Sequence, residues 1–407
     1  MTGDDEATRQ FGVYVHIPFC AHRCGYCDFA TWTDRDHLVE RYVHACRTDL
    51  ERRRGTYPAA TSVFFGGGTP SLLPADDLVA IVGAIDRTAD AEVTVECNPD
   101  SVSSDDLARY VDGGVNRISL GAQSFSPHVL AALDRTHLVE NVARVVGAAT
   151  AAGITRINID LIYGTPGESD ADWESTLASA LALGVRHISA YALTIEPGTP
   201  LGRAVAAGAR PATDDDQQAD RYLAAERVLG AAGLENYEIS NWAAPGEACR
   251  HNVLYWSMGE YLAIGCAGHG HTGGERWWNV RTPERYIAAV ESGTSAIAGS
   301  EQLDDVARAE ERFSLALRTS SGVAVSQQTT TETLDELAGA GLVEAVPGSR
   351  SRLRLTVTGR LLAADVTARL LVAGAAIAEV GVLALDTIEC QRLRSPDSHR
   401  SDRGPDG

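Results

Sequence analysis

His16-Ile17-Pro18-Phe19-Cys20-Ala21-His22-Arg23-Cys24-Gly25-Tyr26-Cys27-Asp28-Phe29 is the stretch that decides the fold. Its three cysteines, Cys20, Cys24 and Cys27, are spaced C-x3-C-x2-C. Three thiolates this close can hold three irons of a cubane cluster, whereas iron–sulfur clusters normally use four. The fourth iron is then left open to a small molecule, as a catalytic metal site is. Zinc is the competing reading. It takes four ligands, usually in paired C-x2-C spacings, and His16, His22 or Asp28 would have to complete the set.

Outward from this stretch, short β-rich runs alternate with helical patterns. Strands are predicted over Phe11–His16, Ser62–Phe65, Glu92–Glu96, Asn116–Leu120, Arg156–Leu161 and His187–Leu193. Helices are predicted between them, over Asp36–Arg54, Ala75–Asp86, Ser104–Asp112, Leu138–Ala152 and Asp172–Leu183. Strand, helix, strand at this spacing means parallel βα units. The fold class is α/β, and six units make an open, partial (β/α)6 barrel. Functional groups of βα folds collect where strands end, and the motif residues here fall just after the strands.

Phe64-Phe65-Gly66-Gly67-Gly68-Thr69-Pro70-Ser71 follows the second strand. Three glycines let a backbone approach a ligand closely and expose its N–H groups, although an ordinary turn would read the same. Glu96 ends the third strand, Gln123 follows the fourth with Arg135 beyond it, Asp160 lies on the fifth, and Tyr191-Ala192 closes the sixth. Singly, Glu96 reads equally as a helix cap, Asp160 as a strand-end ion pair and Gln123 as a surface amide. As an ordered set along six βα units, chance is a poor account.

The downstream chain is organised differently. A helix is predicted over Gln217–Gly230, followed by an aromatic and glycine-rich stretch over Tyr237–Trp278. Further on, a helix over Thr331–Ala340 and paired strands over Leu342–Val346 and Leu353–Val357 make a winged-helix-like α+β pattern. The expected division is an acidic disordered tail (1–10), the barrel (11–213), a helical and aromatic extension (214–299), the winged-helix-like module (300–365), and an apolar helix with a disordered tail (366–407). Leu370–Leu385 is shorter than the ~20 apolar residues a membrane span needs, and Glu379 interrupts it.

The 407 residues and 44% hydrophobic content allow a large core. Eight cysteines in this length do not make the disulfide framework of a small secreted domain. The acidic start lacks the apolar segment of a signal peptide. A reducing cytoplasm is the expected location. The net charge of −20 lacks the basic face that polyphosphates need, and Arg52-Arg53-Arg54 is the longest basic run. Nucleic acid is therefore not an expected partner.

These motifs together resemble the radical S-adenosylmethionine (SAM) superfamily, in its HemN-like, oxygen-independent coproporphyrinogen III oxidase-like branch. The resemblance runs over roughly residues 11–365. It implies a [4Fe–4S] cluster on Cys20, Cys24 and Cys27 and a SAM site lined by Tyr14, Tyr26, Gly67, Gly68, Thr69, Glu96, Gln123, Arg135, Asp160 and Ala192. In that family the amino and carboxylate groups of SAM fill the open iron, and an electron from the cluster cleaves the sulfonium. The branch contains dehydrogenases that decarboxylate coproporphyrinogen III, methyltransferases and heme chaperones. The dehydrogenases carry a further cysteine two residues after the third ligand, where this chain has Phe29. Cys249-Arg250-His251-Asn252-Val253-Leu254-Tyr255-Trp256 contains H-N-x-x-Y, associated in the chaperones with heme binding. On a helix His251 and Tyr255 share a face, and imidazole or phenolate can bind heme iron. A buried histidine in an aromatic core would carry the same pattern. Gly265-Cys266-Ala267-Gly268-His269-Gly270-His271 reads first as a tight loop, second as a source of a metal ligand. The resemblance thus implies a heme chaperone, with heme and an acceptor protein as partners and a second copy of the chain as a further candidate. Radical enzymology is the alternative.

Overall fold

The computed structural model describes residues 10–326, 329–349 and 351–376. The acidic segment before Gln10, the rest of the apolar run after Ala376, and the polar tail lie outside the described residues. The first half alternates β1 (Phe11–Ile17), α1 (Val39–Arg53), β2 (Ala60–Gly67), α2 (Ala75–Ala84), β3 (Arg87–Cys97), α3 (Ser104–Asp112), β4 (Arg117–Gln123), α4 (Pro127–Ala132), α5 (Val139–Ala152), β5 (Arg156–Tyr163), α6 (Asp170–Ala182) and β6 (His187–Ala192). All six expected strands are present and pair in parallel, in chain order. Local chemistry sets the helix starts: Ser103 with Asp106 and Ser169 with Asp172 form capping boxes at α3 and α6.

The chain continues through α7 (Pro200–Ala206), α8 (Asp215–Ala231), β7 (Glu235–Glu238), β8 (Asn241–Ala243), α9 (Arg250–Trp256), β9 (Glu260–Ile264), β10 (His269–Thr272), β11 (Glu275–Asn279), α10 (Pro283–Glu291) and β12 (Ile297–Gln302). Its strands extend the same sheet at both edges, giving the order β12-β11-β10-β9-β1-β2-β3-β4-β5-β6-β8-β7. The expected boundary at 213 therefore separates segments of one continuous sheet. The Gly265–His271 stretch makes a turn and then enters β10. At Gly265, φ is +95° and a Cβ would meet the Tyr42 hydroxyl and the His16 carbonyl, so the turn needs glycine there.

The sheet is rolled around α9. His251 on α9 hydrogen-bonds Ser62 on β2, and Asn252 bonds Tyr237 and Glu238 on β7. In a flat sheet those strands, six spacings apart in the order above, would lie roughly 29 Å from each other at ~4.8 Å per spacing. A helix of seven residues is only about 10 Å long. Gly12 lets α9 seat against β1, since a Cβ there would meet Leu254 and His251 at 2.6 and 2.9 Å.

The last region comprises α11 (Asp305–Ala316), β13 (Val323–Ala324), α12 (Thr331–Gly339), β14 (Val343–Ala345), β15 (Arg352–Leu355), α13 (Val357–Leu361) and α14 (Ala363–Val372). Its three strands form a separate sheet, β13-β15-β14. Phe313, Leu317, Leu334, Leu337, Leu353, Val366 and Leu370 form a core distinct from that of the barrel. The helices and the β14–β15 hairpin follow the winged-helix-like pattern, and α14 carries the module's core past residue 365. Among the described residues no helix is long and apolar enough to cross a membrane.

Candidate functional site

The cysteine loop leaves the end of β1 and is pinned at its base. Cys20 N donates to Trp32 O at 3.0 Å and Trp32 N to Pro18 O at 2.8 Å. Cys27 N donates to Cys24 O at 3.1 Å, which folds the two cysteines into one turn. The glycine loop lies directly against it: Gly68 N donates to Ile17 O and Thr69 N to Phe19 O, both at 2.8 Å. Thr69 Oγ1 lies 3.7 Å from Cys20 Sγ. A Cβ at Gly68 would fall 2.6 Å from Phe19 O and 3.0 Å from Cys20 Sγ. Only glycine permits this packing of one loop on the other.

The donor set fits a cluster. Burial pushes the Cys20 and Cys27 thiols up, and neighbouring thiols oppose a second negative charge in both cases. Bound metal removes those protons. Among the described residues no three His, Cys, Asp or Glu side chains converge as one ion requires. A cubane asks for something else, one thiolate at each of three irons. The histidine considered as a fourth zinc ligand is occupied: His16 Nε2 donates to Ala30 O at 3.0 Å, so Nδ1 accepts from the Tyr14 hydroxyl at 3.1 Å. His22 pairs with Asp134 at 3.2 Å.

Beyond the cysteines, the mouth of the barrel presents a connected surface. Gly67 N donates to Glu96 Oε2 at 3.2 Å, and Gly67, with φ +109°, has no room for a Cβ against the His16 ring. Burial, then the nearby Asp160, push the Glu96 carboxyl up to about 8. Burial raises Asp160 too, against hydrogen bonds from Ser119 and Asn158 at 2.8 Å. Two neighbouring carboxyls raised by burial, with Asp160 opposing the ionisation of Glu96, suit a ligand bringing an ammonium group and hydroxyls, as SAM does. Arg135 donates to Gly121 O at 2.7 Å and lies 3.7 Å from Cys24 Sγ. Gln123 holds φ +62° at the end of β4, a conformation non-glycine residues seldom adopt and one often found at ligand sites. Tyr26 packs on Val129, Leu133, Ile162 and Leu193 beside the cysteines. Ala192 ends β6 opposite Tyr163. All ten residues expected around SAM are half-buried, as a ligand-facing surface in an otherwise closed strand end would be.

The barrel interior was not anticipated. Ser62, Glu92, Thr94, Arg117, Ser119, Asn158, His187 and Ser189 alternate with apolar residues along β2–β6 and are buried. Parallel strands covered on both faces usually read as continuous apolar runs; this period-two polarity was the available signal. Glu92 accepts from the backbone N–H groups of Arg250 and His251 at 2.8 and 3.3 Å and pairs with Arg156 at 2.9 Å. It thereby anchors the start of α9.

The H-N-x-x-Y segment is helical, and its His251 and Tyr255 side chains face into the barrel. His251 is 1% exposed. Its Nδ1 is bonded to Ser62 Oγ and its Nε2 to the Tyr255 hydroxyl, both at 2.9 Å, with Phe64 stacked on the ring. Burial lowers its pKa to about 3, so the imidazole is neutral.

Known proteins bear on this geometry. Residues 14–180 match the Radical SAM superfamily profile. The chain is 42% identical over 371 residues to the heme chaperone HemW of Mycobacterium tuberculosis, covering 89% of this chain and 95% of that protein. It is 37% identical over 328 residues to the heme chaperone HemW of Synechocystis sp., covering 77% and 79%. Coproporphyrinogen III oxidase (HemN) from Escherichia coli, described as a radical SAM enzyme, shares the fold with a TM-score of 0.76 at 21% identity, over 89% of this chain and 90% of that one.

Proposed function

This chain belongs to the radical SAM superfamily, within the HemW heme-chaperone family, and from that premise we propose that it binds heme and passes it to an acceptor protein while carrying a SAM-ligated [4Fe–4S] cluster. The observation that supports this reading best is the 42% identity to a heme chaperone along 89% of the chain. Phe29, 61% exposed, stands where the dehydrogenase pattern has its further cysteine, which favours the chaperone over the enzyme.

Cys20, Cys24 and Cys27 would hold the cluster. The Gly67–Thr69 backbone would meet the methionine end of SAM, with Glu96 and Asp160 taking its ammonium and hydroxyl groups, Gln123 and Arg135 on the β4 side, and Tyr14, Tyr26 and Ala192 completing the walls. When bound, the pair would supply one-electron chemistry at a sulfonium. The protein would work in the cytoplasm, without nucleic acid, as a monomer or a dimer. Heme would bind in the α9 region. Ligation of its iron by His251 and Tyr255 requires α9 to withdraw from the barrel, because His251 has both ring nitrogens engaged.

The test is anaerobic reconstitution followed by titration with hemin. A saturable Soret shift at one heme per chain is expected, together with iron that is lost when Cys20, Cys24 and Cys27 are all replaced by Ala. Turnover of coproporphyrinogen III with stoichiometric SAM consumption, and no saturable hemin binding, would overturn the chaperone reading.

A further inference from the structure

The inward side chains of α9 leave its outer face unexplained. Val253 is 38% exposed there, beside the half-buried Trp256. Glu238, buried and bonded to Asn252 at 2.9 Å, also accepts from the Trp256 side chain and so fixes the indole. Facing Val253 and Trp256 across an open cleft of about 400 Å³ are α11 and the turn before β13. Small-molecule sites run to about 300–1,000 Å³, mostly apolar with a few placed polar groups.

The cations at this cleft are distinctive. In a chain of net charge −20 most arginines near the module are claimed by carboxylates: Arg276 by Glu301 and Glu311, Arg354 by Glu344, and Arg360 by Glu226. Two arginines lining the cleft are not. Arg312 is exposed and pairs with no carboxylate among the described residues. Among the described residues, the Arg352 guanidinium donates only to the Ser321 and Gly322 carbonyls. A guanidinium fork recognises carboxylates well. An apolar wall bounded by two carboxylate-free arginines fits a flat, apolar ligand that carries carboxylates.

We infer that the cleft between α9 and α11 is the porphyrin site, with the macrocycle against Val253 and Trp256 and its propionates toward Arg312 and Arg352. The inference rests on the heme-chaperone reading and adds the place and manner of binding. Recognition then runs through the ring and its carboxylates, with His251 serving as the internal support of α9 and not as the iron ligand.

The full, reconstituted chain is titrated with hemin, with metal-free protoporphyrin IX and with its dimethyl ester, followed by Soret absorbance and tryptophan quenching. Protoporphyrin IX is expected to bind within a few-fold of hemin. The dimethyl ester and Arg312→Glu are each expected to weaken binding by about tenfold through lost charge-assisted contacts to the propionates, and Val253→Asp by a similar factor because it sets a carboxylate against the apolar ring. The Arg312 side chain bonds to no other side chain or carbonyl among the described residues, so its variant reports on the ligand and not on folding. If hemin binds the wild type but Arg312→Glu and Val253→Asp bind it unchanged, or if the iron-free porphyrin does not bind, the cleft assignment is overturned and the chaperone reading stands. Loss of binding in His251→Gln with Arg312→Glu unaffected overturns it in favour of iron ligation. No saturable hemin binding by the wild type removes the chaperone reading and this assignment together.

Discussion

A methyl group at position 68 would stand 2.6 Å from the Phe19 carbonyl oxygen and 2.9 Å from that of Ile17. Both oxygens accept backbone bonds from the glycine loop, so neither can retreat without undoing the contact between the two loops. Gly68→Ala is therefore expected to cost about 1–3 kcal/mol of overpacking strain, and to lower iron retained per chain after anaerobic reconstitution while leaving far-UV circular dichroism intact. Glu96 gives a pH-dependent prediction. Its folded pKa of about 8 lies above the ordinary glutamate value of about 4.3. Between those values the native carboxyl keeps a proton that the unfolded chain releases, so its contribution to stability falls as pH rises through the window. Glu96→Gln removes that dependence. In the cluster-free protein the urea midpoint of the variant should gain on wild type from pH 5 to pH 8, while SAM binding to the reconstituted protein weakens. A constant difference across that range would show that the carboxyl is not held neutral.

At the level of elements, α9 depends on one carboxylate. Glu92 is buried, holds two N–H groups at the helix start and pairs with Arg156. Removing one partner of a buried pair usually costs about 3–5 kcal/mol; Arg156 keeps Glu247 at 3.3 Å, so Glu92→Ala is expected near the lower end. Urea denaturation measures it, and a loss under 1 kcal/mol would mean that α9 is seated by other contacts. The same element shows what could be read from the chain. The six strands and one helix after each of the first five were legible because β-rich runs alternate with helical patterns at regular spacing; the short α4 was not. The same spacing placed the cysteines, Gly67–Thr69 and Glu96 at the ends of strands and Asp160 on the fifth strand, where the structure has them. The edge strands β7, β8, β10 and β11 were not. They have three to five residues each, and their pairing is set by partners distant in sequence. Nor was the direction of His251 legible, because periodicity places it with Tyr255 on one face without saying which surface that face meets.

Across the whole molecule, two cores meet at a joint, and Arg360 holds it. Its guanidinium donates to both Glu226 oxygens, at 3.1 and 3.0 Å, and to the Tyr222 hydroxyl at 3.1 Å, and lies over the Tyr222 ring. Glu226 in turn accepts from the buried Trp242 indole at 2.8 Å. One fork thus ties α13 of the C-terminal module to α8 and, through Trp242, to the edge of the barrel sheet. A second tie is backbone, from Ser320 N to Tyr237 O at 3.0 Å, and it borders the α9–α11 cleft. With the fork cut, the module would keep its own core but lose the side-chain half of its anchorage. Arg360→Ala is expected to cost about 2–3 kcal/mol at this partly buried pair, to separate calorimetric unfolding into two transitions, and to speed proteolytic cleavage between the two cores. Arg360→Lys should fall between, since an ammonium keeps the charge and loses the two-pronged geometry. The cleft is built from both sides of the joint, so hemin affinity should fall in the same order, Arg360→Lys before Arg360→Ala. A single unshifted transition in Arg360→Ala would show that hydrophobic contacts of Val357 and Leu361 alone hold the module to the barrel.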